Sequence, residues 1–461
     1  MKRFFLKFSW IVGIVLLAGI TFMALKFPPV MTSHAAKTVC SCVYVMGRSL
    51  ESVRAKELEV YPFLSNADIQ LHPDSSVTAR LLWQKSKAIY RKGLGCTLLS
   101  EQPEKVVRGQ KMKIAKLPPF NQDTVAWPAG NKTAELTSYI NQEKLNRTIE
   151  DSFLDTDPEK PLNTHAIVVV YNGEIIAEKY APGFDMNSRM MGWSMAKSVT
   201  SALVGILVRD GKLSVSDPAP IAVWQHDERK NIRIENLLQA TSGLQWNESY
   251  FNPISDFHMM FTYRDDKVKF EASREAEFAP GENFKYSSSS TNILSGIVRQ
   301  IVGEDDYHRF PYERLFYKIG MHSAIMEPDA SGTFVGSSYC YATARDWARF
   351  GMLYLNDGYW VDGRVLPEGW VEYTTTPSLA ATRGEYGAQW WLNAGEKNNP
   401  ANRFYPLLPP DALWADGFEE QYVMVIPSKN LVVVRLGVSH HGSPFEKMVK
   451  DIMDCLPEES Q

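Results

Sequence analysis

The sequence Gly192-Trp193-Ser194-Met195-Ala196-Lys197 stands after a β-hairpin pattern, where the chain enters its first long helical pattern. Residues three positions apart in a helix lie on one face, so Ser194 and Lys197 are expected to be neighbours. A serine hydroxyl becomes a strong nucleophile only when a base takes its proton, and a desolvated lysine can be that base. The start of a helix adds free N–H groups and a positive dipole end, which suit a developing oxyanion.

This segment has two other interpretations. A serine followed three residues later by lysine also occurs by chance, as a helix N-cap beside a solvated lysine. The run from Gly192 to Ala196 approximates the nucleophile elbow of α/β-hydrolases, with His440 or His441 later in the chain as the base. An elbow follows a buried hydrophobic strand, however, and Asp185–Met191 does not have that pattern.

Strand patterns lie on both sides of this helix. His165–Tyr171 and Glu174–Tyr180 are β-rich and flank Asn172-Gly173, a strong signal for a two-residue turn. Three more strand patterns occur late in the chain, at Tyr386–Leu392, Tyr422–Ile426 and Leu431–Leu436. The region between them is mostly helices and loops. The sequence therefore predicts an α/β (α+β) fold for residues 131–461, with an antiparallel sheet built from both ends of the domain, packed with helices, plus a mostly helical subdomain.

Residues 1–27 are predicted to be a membrane anchor or signal segment. Basic residues precede an uncharged run from Phe8 to Leu25, which at about 1.5 Å per residue nearly spans a hydrocarbon core. Such a charge pattern favours export of the rest of the chain, so we expect an inner-membrane protein with a periplasmic catalytic domain. The alternatives are a cleaved signal peptide, with Ser33-His34-Ala35 as its cleavage site, and a buried helix of a soluble domain.

Residues 28–130 are predicted to form an N-terminal accessory region, with a helix around Val77–Arg91. A disulfide from Cys40 or Cys42 to Cys96 would staple this region in an oxidising compartment. Cys340 and Cys455 could form a second pair, but burial as small apolar side chains is the favoured interpretation.

Several functions are disfavoured by composition and by missing motifs. The formal net charge of −4 gives no argument for nucleic-acid binding. No Walker loop, dinucleotide fingerprint, His-Glu-x-x-His or paired Cys-x-x-Cys occurs, so neither a cofactor nor a metal ion is predicted.

Five segments in order resemble the serine β-lactamase and penicillin-recognising superfamily, on its class C side. They are Gly192–Lys197, Leu213–Pro218, Ile234–Leu244, Pro280–Ser288 and Ala342–Gly351. The similarity runs from about Ala134 to Glu446 and includes 6-aminohexanoate-dimer (nylon-oligomer) hydrolases and esterase-like relatives. It implies a serine hydrolase of the β-lactamase/transpeptidase-like fold, which cleaves an ester or amide through an acyl-enzyme on Ser194.

The resemblance also implies a role for Tyr286-Ser287-Ser288, which matches two positions of the family's Tyr-Ala/Ser-Asn motif. Tyr286 would pass protons to the leaving group, provided that nearby positive charge from Lys197 lowers the pKa of its phenol. Ser288 stands where the family has asparagine, and it is the candidate for contact with a substrate carbonyl.

The family's third motif, Lys-Thr/Ser-Gly, is replaced by Ala415-Asp416-Gly417. Gly417 would keep the close backbone approach, and the Phe418 N–H would be the second oxyanion donor beside that of Ser194. The lysine that recognises a carboxylate is absent and acidic residues surround the motif, which disfavours anionic substrates and a true β-lactamase. The expected substrate is a small molecule or short peptide. The alternative function is a catalytically idle, membrane-anchored interaction protein of the same fold.

Overall fold

The computed structural model describes residues 2–59, 64, 66–119, 121–136 and 139–457, with the backbone alone for residues 2–9, 11–16 and 18–20. The helices are α1 (Lys2–Tyr44), α2 (Leu50–Lys56), α3 (Glu104–Arg108), α4 (Gln142–Asp151), α5 (Met195–Arg209), α6 (Ile234–Leu238), α7 (Asp256–Tyr263), α8 (Lys267–Ala272), α9 (Ser288–Val302), α10 (Ala344–Leu355), α11 (Trp370–Thr375) and α12 (Phe445–Met453). The strands are β1 (Asp68–Leu71), β2 (Ser76–Leu81), β3 (Gln84–Arg91), β4 (Gly95–Leu99), β5 (Thr164–Tyr171), β6 (Glu174–Tyr180), β7 (Met190–Met191), β8 (Ile325–Met326), β9 (Cys340–Ala342), β10 (Tyr359–Trp360), β11 (Gly363–Arg364), β12 (Trp391–Leu392), β13 (Leu413–Gly417), β14 (Gln421–Ile426) and β15 (Leu431–Gly437).

A six-stranded antiparallel sheet has the order β12-β13-β14-β15-β5-β6. Strand β15 from the end of the chain pairs with β5, so that Val434 lies opposite Val168. The predicted β5–β6 hairpin is confirmed, and both Asn172 and Gly173 in its turn have positive φ angles of 49° and 80°. The predicted fold class is therefore confirmed, because both ends of the domain contribute strands to this sheet.

Helices cover both faces of the sheet, which is why β5 is apolar without interruption from Ala166 to Val170. Ile167 and Val169 pack with α4 and α12 on one face. Val168 and Val170 belong to the larger core on the other face, together with residues of α5, α9 and α10. This second face carries Ser194 at the start of α5, between the sheet and the helices of residues 212–385.

A separate four-stranded sheet, β1-β2-β3-β4, lies in the region before residue 130. The helix predicted over Val77–Arg91 is wrong, since β2 and β3 form a hairpin there. Its apolar side chains recur with the two-residue period of a strand, and Val77, Ala79 and Ala88 pack against α1. A disulfide joins Cys40 of α1 to Cys96 of β4, as predicted. The three remaining cysteines are buried and unpaired, at Cys42, Cys340 and Cys455.

The predicted membrane anchor, and the periplasmic location derived from it, are wrong. Within the described residues, no helix is long and apolar enough to cross a membrane. Most side chains of the run Phe8–Leu25 lie outside the described part. The second half of α1 packs on the four-stranded sheet, and cleavage after Ala35 would cut a fully buried stretch of this helix.

Candidate active site

The backbone before α5 holds Ser194 in place. The Gly192 N–H donates to the Cys340 carbonyl of β9 at 2.8 Å, and a Cβ at Gly192 would lie 2.3 Å from the ring of Trp347. Trp193 has a φ of 46°, a left-handed conformation that costs a non-glycine residue about 1 kcal/mol or more. Its indole N–H donates to Glu419 Oε2 at 3.1 Å, which couples the Ser194 segment to the turn after β13.

Lys197 lies on the face of α5 that carries Ser194, as its spacing predicts. Its Nζ donates to Ser194 Oγ at 2.9 Å, to Ser288 Oγ at 3.3 Å and to the Ser337 carbonyl at 3.0 Å. Burial lowers the pKa of Lys197 to about 8, against the attraction of nearby carboxylates. Deprotonation close to neutral pH gives this amine a lone pair that can take a proton from Ser194.

Glu248 is a residue of this site that the sequence did not reveal. Its Oε1 accepts from Ser288 Oγ at 2.6 Å, and its Oε2 accepts from the Ser288 N–H at 2.9 Å. The Trp246 indole N–H donates to the same carboxylate. Ser288 therefore links Lys197 to Glu248, and its suggested contact with a substrate carbonyl stays a prediction. Glu248 lies in a loop without a recognisable motif, so no sequence signal could have found it.

Tyr286 lies next to the nucleophile and contributes a proton donor. Its phenol hydrogen-bonds the Ser194 side chain, and the Nζ of Lys197 lies 4.9 Å from its ring centroid. Burial raises the pKa of Tyr286 well above 10, and nearby tyrosines add to this effect. The expected lowering by Lys197 is therefore wrong, because desolvation dominates. A phenol with a raised pKa stays protonated and can donate to a leaving group, but it is a poor base.

Gly417 ends β13 beside the nucleophile segment. A Cβ there would lie 2.3 Å from the Gly192 carbonyl oxygen, so only glycine permits this approach. The following turn contains Glu419 and Glu420, with φ angles of 65° and 67°. Among the described residues, the N–H groups of Ser194 and Phe418 donate to no backbone carbonyl. The role of these two N–H groups as oxyanion donors stays a prediction.

A cleft of about 300 Å³ opens at this point, and we call it the acidic cleft. Ser194, Tyr286, Asp416, Phe418 and Glu420 are among the residues that line it. Burial, and then repulsion from Glu420, raises the pKa of Asp416 to about 7. Near neutral pH the cleft thus holds three carboxyl groups, those of Asp416, Glu419 and Glu420, of which Asp416 is partly ionised.

No arginine replaces the family's third-motif lysine in this cleft. Arg345 pairs with Glu178, and Arg349 pairs with Asp346, each at hydrogen-bond distance. Neither residue is part of the cleft lining, and Arg383 is exposed elsewhere on the surface.

The nucleophile elbow receives no support from this geometry. The sheet of this domain is antiparallel, and the short strand β7 before Ser194 belongs to the small sheet β7-β9-β8. His440 Nδ1 lies 3.7 Å from Glu419 Oε1, and the Ser194 hydroxyl is in contact with Lys197 Nζ at 2.9 Å. The described residues also include no group of three or more His, Cys, Asp or Glu placed to hold a metal ion.

The antiparallel sheet, the helical region and the serine–lysine pair together define a protein of the β-lactamase type. The family model described as Beta-lactamase matches residues 157–452, more than half of the chain, and the chain belongs to this family. The predicted superfamily is therefore confirmed. The prediction that the protein is an enzyme of the hydrolase class is confirmed at the level of the family.

The proteins similar to this chain include hydrolases with different names. A 6-aminohexanoate-dimer hydrolase of Paenarthrobacter ureafaciens is 27% identical over 51% of this chain and 66% of its own length, so the chain spans just under two thirds of that relative. The structure is similar to a family VIII carboxylesterase, with a TM-score of 0.54 and 14% identity over 71% of this chain and 99% of the other. It is also similar to a D-stereospecific amidohydrolase from Streptomyces sp., with a TM-score of 0.50 and 14% identity over 68% of this chain and 97% of the other.

Proposed function

We propose that this protein is a serine hydrolase that cleaves an ester or amide bond through an acyl-enzyme on Ser194. The observation that carries the proposal is the 2.9 Å contact between Ser194 Oγ and the Nζ of Lys197, a buried amine with a pKa of about 8. A lysine that served only structure would stay solvated or form an ion pair. Lys197 instead hydrogen-bonds two hydroxyl groups and a carbonyl oxygen.

The mechanism has two stages. In acylation, neutral Lys197 takes the Ser194 proton, Ser194 Oγ bonds to the substrate carbonyl carbon, and the N–H groups of Ser194 and Phe418 bind the oxyanion. The bond to the leaving group then breaks, Tyr286 gives the leaving group its phenolic proton, and Lys197 returns a proton to Tyr286. In deacylation, water attacks the acyl carbon and Lys197 takes a proton from that water; the bond from the acyl carbon to Ser194 Oγ then breaks, and Lys197 returns the proton to Ser194 Oγ. The products are a carboxylic acid and an alcohol or amine.

A fluorophosphonate probe tests this proposal directly, since it phosphonylates an activated serine. The labelled protein should yield one modified peptide, and mass analysis should place the adduct on Ser194. An adduct on another serine would contradict the assignment. No labelling at all would favour the alternative of an idle interaction protein, which has no need for a buried lysine beside the serine.

Substrate charge gives a second test. Asp416 and Glu420 lie in the acidic cleft without a cation among its lining residues, so we expect an amine-bearing ester to react faster than its carboxylate-bearing analogue. One charge-assisted hydrogen bond corresponds to about 10- to 150-fold in kcat/KM. The measurement compares matched esters with a terminal amine, amide or carboxylate.

A variant of Asp416 tests whether its carboxylate causes the preference for amine-bearing esters. Asp416→Asn should lower the ratio of amine-bearing to neutral ester turnover about ten-fold. The control Glu372→Gln removes a charge from an exposed position of α11 outside the cleft, and it should leave this ratio unchanged. A wild-type preference for the carboxylate ester that weakens with salt would mean that a cation elsewhere serves the substrate.

The pH profile should report the ionisation of Lys197. Below its pKa of about 8 most of the amine is protonated and cannot act as a base, so kcat/KM for a neutral ester should rise about ten-fold per pH unit and level off above that value. An amine-bearing ester should show a steeper rise below about pH 7, because Asp416 also ionises there. Asp416→Asn should remove this additional step. A profile that is flat from about pH 5 to 9 would exclude Lys197 as the base.

A further inference from the structure

A second cavity adjoins Ser194, and Tyr286 is not among its lining residues. We call this cavity, of about 100 Å³, the helix pocket, because the second half of α1 forms one of its walls. Its apolar side chains come from distant parts of the chain and include Val30, Met31, Met191, Phe257, Phe261 and Phe418. The region before residue 130 therefore contributes directly to the surroundings of the nucleophile.

The titratable side chains of this pocket offer little charge to a ligand. Burial lowers the pKa of His34 to about 4, and burial also lowers the pKa of His258. Lys37 is charged but engaged, since it pairs with buried Glu327 and its Nζ lies 3.7 Å from the ring centroid of Tyr339. An uncharged, apolar group is the ligand that such a wall accommodates.

The two cavities beside Ser194 differ in which catalytic groups they contain. Tyr286 lines the acidic cleft and is not part of the helix pocket lining. The leaving group must lie within reach of the Tyr286 phenol to receive its proton, so it occupies the acidic cleft. The acyl portion then extends from the carbonyl carbon in the other direction, into the helix pocket.

We infer that the helix pocket binds the apolar acyl group of the substrate, and that Val30 and Met31 of α1 set the preferred acyl length. This inference rests on the proposed acyl-enzyme on Ser194. The substrate class that fits both cavities is a short-chain aliphatic acyl ester or amide of an amine-bearing leaving group. A cavity of roughly 150 Å³ holds a benzene ring, so the helix pocket has room for a smaller group, such as a propanoyl or butanoyl chain.

The link between α1 and the rest of the protein makes this wall firm. Glu327 of the hydrolase domain is fully buried, pairs with Lys37, and accepts from Ser41 Oγ at 3.0 Å and from the Cys96 N–H at 2.6 Å. One carboxylate thus joins α1, the four-stranded sheet and the catalytic domain. A wall that is fixed in this way can discriminate chain length, whereas a mobile one would adapt to longer chains.

The test is a series of 4-nitrophenyl esters with acetyl, butanoyl, hexanoyl, octanoyl and dodecanoyl groups. For the full-length protein, kcat/KM should rise about four-fold per added methylene until the pocket is full, and then fall. Val30→Phe should lower the ratio of butanoyl to acetyl turnover at least ten-fold. Met31→Ala should move the optimum to a longer chain. Val39→Ala truncates a fully buried side chain of α1 outside the pocket, and should leave the profile unchanged.

The outcomes separate this inference from the proposed function. If acetyl ester is hydrolysed through Ser194 but chain length has no effect, or if Val30→Phe and Met31→Ala keep the wild-type profile, the acyl assignment is overturned and the hydrolase remains. If Val39→Ala shifts the optimum as much as Met31→Ala does, the effect is a general loosening of α1 and the inference also fails. If the wild-type protein hydrolyses none of the esters and no probe labels Ser194, both the acyl assignment and the proposed function are overturned.

Discussion

Ser194→Ala is expected to abolish probe labelling and to lower ester hydrolysis by about 10⁴–10⁶-fold, because it removes the atom that would carry the acyl group. The free energy of unfolding should decrease only slightly. The Ser194 hydroxyl hydrogen-bonds Lys197 and the Tyr286 phenol, and each such bond contributes about 1 kcal/mol to the free energy of unfolding. We therefore expect the Tm to shift by no more than about 4 °C.

A neighbouring serine provides the matched control for this variant. Ser201 lies in the same helix, is fully buried, and donates to the Ala388 carbonyl at 3.0 Å. Ser201→Ala removes a hydroxyl and its buried hydrogen bond from the same helix, but should keep labelling and hydrolysis within about three-fold of wild type. Equal losses of labelling and hydrolysis in the two variants would show that these activities depend on the integrity of the helix and not on the Ser194 hydroxyl.

The central part of this molecule could be predicted from the sequence because its signals are local. The spacing of Ser194 and Lys197 follows from helix geometry, and the β5–β6 hairpin follows from Asn172-Gly173. The strands β14 and β15 could be recognised in the sequence as apolar runs, because they are buried on both faces of the sheet. Glu248 could not be predicted, because its role arises only where a loop meets the start of α9.

The N-terminal region was harder to predict because composition alone does not separate two kinds of apolar helix. A helix buried in a protein and a helix buried in lipid need similar side chains, and the run Phe8–Leu25 had the length of a membrane span. The second half of α1 has distant partners, namely Ala79, Ala88 and the disulfide to Cys96, and such contacts cannot be read from the local sequence. The pKa of Tyr286 was predicted in the wrong direction for a related reason, since burial by the fold outweighs the nearby charge.

Removal of the proposed base should have the second large effect. Lys197→Ala is expected to lower the rate of Ser194 acylation about 10²–10⁴-fold, the usual cost of losing a general base. His440→Ala and His441→Ala should change it by less than about three-fold, because Lys197 is the group in contact with Ser194 Oγ, at 2.9 Å. The reverse ranking would restore the nucleophile elbow and its histidine base. The measurement is the pseudo-first-order rate of probe labelling, which reports acylation without turnover.

Lys197→Arg separates the role of Lys197 as a base from its role as a buried charge. Arginine keeps the positive charge but does not deprotonate in proteins, so it cannot take the Ser194 proton. We expect Lys197→Arg to lose acylation about as fully as Lys197→Ala, and small amines such as methylamine to restore part of the rate to Lys197→Ala alone. Retention of more than about a tenth of wild-type acylation by Lys197→Arg would mean that Lys197 acts through its charge. Ser194 would then need another base, for which the Glu248 carboxylate, joined to Lys197 through Ser288, is the nearest candidate.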